Sequence, residues 1–180
     1  MSLLKFVPAL ALAPILSGCL IYSDGEGEMK VTQLKDVEVA PAVEVKRTYA
    51  GSFPIAQSIS VPPGYSTVYL SGMVPGPVAG TTDQFGNTEV QTESVLKRIE
   101  AALQAEGLGF GDVVNMKVYL VGDPAMGGKM DFGGMMKTYS KYFGTAEQPN
   151  KPTRTTVQVA GLANPAFLVE IEVTAVKKVE

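Results

Sequence analysis

The sequence predicts an α+β domain, a mixed β-sheet with two helices on one face. Three observations predict it. Helical periods over 88–106 and 132–143 are set among strand-like segments that do not alternate strictly with them, which argues against a repeating βαβ fold. Between the helices lies an uninterrupted strand pattern, Val113 to Val121. The chain then closes on two alternating segments, Pro152–Val159 and Phe167–Val173.

Residues 1–18 read as a targeting segment. Lys5 stands in a short charged region, Phe6 to Leu16 is almost wholly apolar but short for a bilayer span, and Leu16-Ser17-Gly18-Cys19 follows. This tetrad resembles the bacterial lipobox, which makes Cys19, the sole cysteine, the expected acylation site. Pro8 and Pro14 argue against the other reading, an apolar helix packed on the domain. Acylation by more than one chain would hold the protein stably at a membrane, so the expected location is the cell envelope. Leu20 lacks the aspartate associated with inner-membrane retention, which points to the periplasmic side of the outer membrane. The mature chain would carry 14 basic and 18 acidic residues, because residues 1–18 remove only Lys5 from the total of 15.

Residues 19–47 read as a tether followed by an irregular or edge-strand arm, and residues 48–180 as the domain. Ala56–Val61 and Thr67–Leu70 are strand-like, joined through Pro62-Pro63-Gly64, which turns the chain and forbids a helix. The segment from Met73 to Asn87 is a long loop rich in glycine and proline. Thr88 is the expected cap of the first helix, with Gln91 completing a capping box. Val95, Ile99, Ala102 and Leu103 form its apolar stripe and Gly107 its stop. On the strand that follows, Val114, Met116, Val118 and Leu120 share a face that should pack on that helix. Asp131 caps a second helix over Phe132–Phe143, with Phe132, Met135, Met136, Tyr139 and Phe143 inward and Gly144 at its end.

Composition narrows the chemistry. The chain of 180 residues has no histidine and one cysteine, so Ser-His-Asp triads, Cys-His pairs and histidine metal sites are excluded. Its net charge of −3 and the lack of a basic stripe argue against a nucleic-acid partner. The Met130, Met135 and Met136 cluster reads as core or cleft lining rather than a metal site. The glycine-rich 122–134 stretch lacks the spacing and Lys-Ser ending of a phosphate loop.

The closing segments carry the charges of interest. In the first, Thr155, Val157 and Val159 alternate with Arg154, Thr156 and Gln158; in the second, Phe167, Val169, Ile171 and Val173 alternate with Glu170 and Glu172. If the two form a hairpin with a shared apolar face, Arg154, Glu170 and Glu172 lie together on the polar one. That face, with Asn115, Lys117 and Gln158, is hydrophilic for a core but suited to a subunit interface with clefts.

Several pieces recur in the order of one family: Tyr69-Leu70-Ser71-Gly72, Gln91-Thr92, Ile99-Glu100-Ala101-Ala102-Leu103, Gly107-Leu108, Asp112-Val113-Val114 and Tyr119-Leu120. They continue through Tyr139-Ser140-Lys141-Tyr142-Phe143, Pro152-Thr153-Arg154 and Val169-Glu170-Ile171-Glu172. Over about Ala50 to Val176 the chain resembles the RidA family, also called the YjgF/YER057c/UK114 family. The resemblance implies a chorismate-mutase-like fold assembled as a homotrimer, with ligand clefts between subunits. It implies hydrolysis of reactive 2-imine and 2-enamine acids to 2-keto acids and ammonia, with no cofactor. By the same resemblance Arg154 docks the substrate carboxylate, Glu170 orients the attacking water, Ser71 lines the cleft, and Thr156 stands where the family often has cysteine. Two positions depart from the pattern. The family's cleft tyrosine falls at Ile55 and its second-helix asparagine at Met136, so two hydrogen-bonding groups are lost.

Two readings of Arg154 therefore stand: a dock for a carboxylate ligand, or a structural ion pair with Glu170 or Glu172 at a subunit interface. Glu170 is divided between water guide and solvated carboxylate, while Glu172 reads as structural. Two functions follow, an envelope-anchored imine/enamine deaminase or a non-catalytic envelope trimer that binds small carboxylates or a protein partner.

Overall fold

A computed structural model describes residues 19–23, 29–33 and 43–179. The expected signal segment, 1–18, lies outside the described residues. Within 19–33 the backbone forms an antiparallel pair, β1 (Cys19–Ser23) with β2 (Met29–Gln33), in which Cys19 is opposite Gln33. The chain divides into two compact units at Ala42/Val43, and the second holds everything that follows.

That unit begins with a small antiparallel pair, β3 (Lys46–Thr48), at the end of the expected arm, with β4 (Ser58–Ser60), inside the expected Ala56–Val61 strand. Its main sheet has four strands: β5 (Tyr65–Met73), β6 (Val113–Val121), β7 (Thr153–Val159) and β8 (Val169–Lys178), in the order β5-β8-β6-β7. β6 and β7 run parallel and the other neighbours antiparallel, so the sheet is mixed as expected. Helices α1 (Thr88–Ala105) and α2 (Phe132–Tyr139) cover one face. Between helices and sheet lies one core, with Val95, Leu96, Ile99 and Leu103 from α1, Met135 and Tyr139 from α2, and Met116, Val118, Leu120, Val169, Ile171 and Val173 from the strands.

Three local expectations need correction. Asn87, not Thr88, caps α1: its side chain accepts from the Val90 amide at 3.0 Å, while Thr88 is already helical and buried. Asn is the better capping acceptor, and its presence one residue earlier starts the helix there. Gln91 consequently forms no capping box. Its amide donates to the carbonyls of Gly86 and Ala166 and accepts from the Leu168 amide, tying the helix to the loop before β8. The second helix stops at Tyr139 rather than Phe143, and turns carry the chain to Gly144, whose φ of 74° glycine adopts without strain. On β6 a register irregularity between Val113 and Asn115 turns Val113, not Val114, into the core.

The largest correction concerns the closing segments. They form no hairpin, because β6 lies between β7 and β8. Arg154 is opposite Met116 and Glu170 is opposite Tyr119. Met116 is fully buried under the helices, and three residues along a strand reverses the face. Arg154, Thr156 and Gln158 therefore belong to the helix side of the sheet, while Glu170 and Glu172 belong to the open side. The expected shared polar face does not exist within one chain.

Candidate functional site

Arg154 lies on edge strand β7, on the helix side of the sheet. Its guanidinium is half-buried. The Cζ atom is 4.2 Å from the ring centre of Tyr139, 5.6 Å from that of Phe53 and 5.8 Å from that of Phe132, and Nη1 donates to the Met136 thioether at 3.2 Å. A guanidinium over aromatic faces is held by the ring quadrupole, at about 0.5–2 kcal/mol per contact. Sulfur is a weak acceptor, so most of the fork's donors lack a strong partner. Among the described residues no carboxylate pairs with Arg154.

The surrounding backbone explains how the box is built. The Ala56 amide donates to the Pro152 carbonyl at 2.8 Å, fastening the 53–57 segment to the start of β7. The Tyr139 hydroxyl donates to the Pro54 carbonyl at 2.8 Å, fastening the same segment to α2. Both bonds bring Phe53 over the arginine although it is 45% exposed. Asp131 caps α2 by accepting from the Gly134 amide, which places Phe132 in the helix's first turn. Gln158, two residues beyond Thr156 on the same side of β7, accepts from the Met130 amide and donates to the Gly128 carbonyl, holding the glycine-rich loop beside the strand.

Burial acts on both central groups. It lowers the Arg154 pKa from its ordinary value, partly countered by Tyr139, yet an arginine remains charged at any physiological pH. Burial also pushes the Tyr139 hydroxyl well above the usual tyrosine range, against the opposing pull of Arg154, so this phenol stays neutral. What results is a fixed cation in a partly dry, aromatic setting, suited to an anionic planar group that brings its own oxygens.

The other expected site residues divide between the two faces. Met136 touches Arg154. Thr156 follows it on the same side of β7, and its Oγ1 is buried without a hydrogen-bond partner. Ile55 is half-buried in the segment that carries Phe53. Glu170 is on the open face, where its carboxylate crosses the backbone of Gly72 so closely that a Cβ there would collide with Oε1. Ser71 is the exposed residue beside Gly72 in the irregular stretch of β5 between Leu70 and Met73. Glu172 pairs with Lys117 on that face, the structural role read for it in the sequence.

Sequence reasoning missed Phe53, Phe132 and Tyr139 as walls of the arginine site. A signal was present: the family's cleft tyrosine was placed at Ile55, and an aromatic residue stands two positions earlier in the same segment. A separate cavity of about 460 Å³ is lined by Arg47, Tyr65 and Lys177 among others, and by none of these residues. Its charged groups are already engaged: Tyr65 and Lys178 with Glu44, Lys177 with the Glu106 carbonyl, and Arg47 with three backbone carbonyls.

The class the structure defines is an α+β domain with a mixed four-stranded sheet, helices on one face and, among the described residues, an edge-strand arginine without a carboxylate partner. Residues 58–177 match the family model described as Endoribonuclease L-PSP, and the chain belongs to this family, the RidA/YjgF family. Protein DfrA of Myxococcus xanthus is 34% identical, over 68% of this chain and 85% of its own length. "Putative reactive intermediate deaminase TdcF" of Escherichia coli K12 is 29% identical over 75% of this chain and 95% of that protein. A crystal structure of E. coli TdcF with bound serine covers 76% of this chain and 98% of its own, with a TM-score of 0.52 at 29% identity. The Rid-family protein YyfB of Yersinia pestis shares the fold with a TM-score of 0.58 at 19% identity, over 74% of this chain and 98% of its own.

Proposed function

We propose that this protein is a deaminase of reactive 2-imine and 2-enamine acids, releasing 2-keto acid and ammonia, assembled as a homotrimer and held in the cell envelope by acylated Cys19. The observation that carries the reading is Arg154, a half-buried guanidinium ringed by Tyr139, Phe53 and Phe132 and lacking a carboxylate partner among the described residues. It is built for a bidentate carboxylate from outside the chain. In this reading Glu170 directs a water to the imine carbon and handles its proton. Thr156, with its unpartnered hydroxyl, and Ser71 make the lesser contacts.

The opposite faces of Arg154 and Glu170 give the trimer a chemical purpose. A single chain cannot close both groups around one small ligand, so the reading requires Arg154 of one copy to meet Glu170 of another. The open face, with exposed Tyr69 and Val157, is apolar enough in places to bury against a second copy. The relative TdcF, named as a reactive intermediate deaminase, supports the chemistry, and its serine-bound crystal structure supports a small amino-acid-like ligand.

The decisive test generates 2-iminopropionate or 2-iminobutyrate in situ and measures keto-acid release with wild type and Arg154→Ala. Release by wild type well above the buffer rate, lost in the variant, is expected; equal rates at the buffer level would end the deaminase reading. Cys19→Ala should leave the membrane fraction, and the mass in solution should be three times that of the chain. A second reading, a binding protein without catalysis, is favoured by Met136 and Ile55 standing where the family pattern has hydrogen-bonding residues. Arg154-dependent keto-acid binding without imine hydrolysis would select it.

A further inference from the structure

We infer that the arginine site selects carboxylates bearing an apolar side chain, of the leucine, methionine or phenylalanine type, over those with a small or hydroxylated one. This rests on the carboxylate dock proposed for Arg154 and deepens it to a substrate class.

The geometry limits what a docked acid can meet. The Tyr139 ring centre is 4.2 Å from Cζ, and Met136 Sδ accepts from Nη1 at 3.2 Å. A carboxylate therefore docks on the donors of the fork that these neighbours leave free. Its α-carbon and side chain then lie just beyond the guanidinium, against the surfaces that surround it. Those surfaces are the rings of Phe53 and Phe132, 5.6 and 5.8 Å from Cζ, and the Met136 side chain. None donates a hydrogen bond, and sulfur accepts only weakly.

Two physical effects then act in the same direction. Each methylene moved from water onto these walls favours binding by about fourfold. A hydroxyl placed there loses its water partners and gains none, which disfavours it. Thr156 Oγ1 is a neutral polar group on the same side of β7, but it is buried and two residues from Arg154 along the strand, where it serves the carboxylate or imine end. Phe53 is the adjustable element: 45% exposed and held through backbone bonds of Pro54 and Ala56, its ring can settle on a bulky substituent. Met136, flexible and polarizable, accommodates either a branched or a flat group. Serine, the ligand of the related E. coli protein, carries the kind of side chain these walls disfavour.

The test measures equilibrium binding of stable 2-keto acids to the full-length chain by calorimetry: 4-methyl-2-oxopentanoate and phenylpyruvate against pyruvate and 3-hydroxypyruvate. The apolar acids should bind at least about tenfold more tightly, equivalent to about 1.4 kcal/mol. Met136→Asn and Phe53→Ser should each narrow that ratio to about threefold or less, with an unchanged circular dichroism spectrum showing that the variants are folded. Arg154→Ala should remove binding of all four acids. Equal affinities, or a preference for 3-hydroxypyruvate, with all binding still dependent on Arg154, would overturn the selectivity and leave the carboxylate dock standing. Binding that survives Arg154→Ala, or no binding of any acid, would overturn both.

Discussion

Two half-buried arginines in this molecule have opposite surroundings. Arg47 donates to the carbonyls of Gly111 at 2.8 Å, Val113 at 3.0 Å and Lys151 at 3.3 Å, so its fork is spent on the backbone and ties β3 to the start of β6 and the approach to β7. Arg154 meets three rings and a thioether and, among the described residues, finds no carboxylate or backbone carbonyl. Burial lowers the pKa of both, so desolvation does not separate them. What separates them is satisfaction: a guanidinium that spends both of its terminal nitrogens on backbone carbonyls is part of the fold, whereas one held by ring faces and a single weak sulfur acceptor keeps donors available.

The comparison is broken most severely at Arg154 itself. Arg154→Ala should reduce keto-acid affinity or imine turnover by about 100-fold or more, since two charge-assisted hydrogen bonds are lost, while the unfolding free energy falls by about 1 kcal/mol, the lost ring contacts being largely offset by relief of the buried charge. A large fall in stability with ligand handling intact would reverse the roles assigned to the two arginines. Arg47→Ala should do the opposite, lowering stability by about 2 kcal/mol through carbonyls left without their donor, with keto-acid affinity unchanged in the folded fraction. Denaturant titration beside a binding isotherm reads both.

A smaller effect sharpens the comparison on the anionic side. Gly72→Ala should push the Glu170 carboxylate off its place over β5 and lower imine hydrolysis by about tenfold, with keto-acid binding through Arg154 retained. If binding and turnover fall together, Glu170 is a ligand contact and not a water guide. The smallest effect concerns Glu93, a carboxylate already served within the fold. Desolvation pulls its pKa up, but hydrogen bonds from Tyr142 at 2.7 Å and from Lys97 outweigh this and hold it below the usual value. A depressed carboxylate contributes stability above its unfolded pKa, about 4.3, and loses it as pH falls through the folded value. Tyr142→Phe should thus destabilise at neutral pH, and its difference from wild type should shrink as pH falls from about 5 to about 3. A constant difference across that range would place the tyrosine's contribution in packing alone.

Much of this arrangement was legible because it is local. Val113–Val121 reads as a strand from its own alternation, and the structure begins and ends it at those residues. The stripe of α1 and the stop at Gly107, with φ of 72°, follow from the helical period and from glycine's tolerance of the left-handed region. The side of β7 was not legible. Thr155, Val157 and Val159 look like the inward set, but β7 is an edge strand, and its face is decided by Met116, a partner 38 positions earlier in the chain. No window of the sequence contains that pairing. The walls of the arginine site escaped for the same reason: Phe53 reaches Arg154 only because Ala56 bonds to Pro152 and Tyr139 to Pro54. Met136, placed by its spacing on α2, lies against the arginine as a residue of that helix face should.

The strand order β5-β8-β6-β7 also sets how the sheet can assemble. β8 (Val169–Lys178) fills the gap between β5 and β6 and, among the described strands, alone bonds to both. Without it the two halves of the sheet have no common edge, and the core lacks the buried valines and isoleucine of β8. Most of the sheet's pairing is thus between residues distant in sequence, which slows folding. Removing Val169–Lys178 would take away not an edge but the seam.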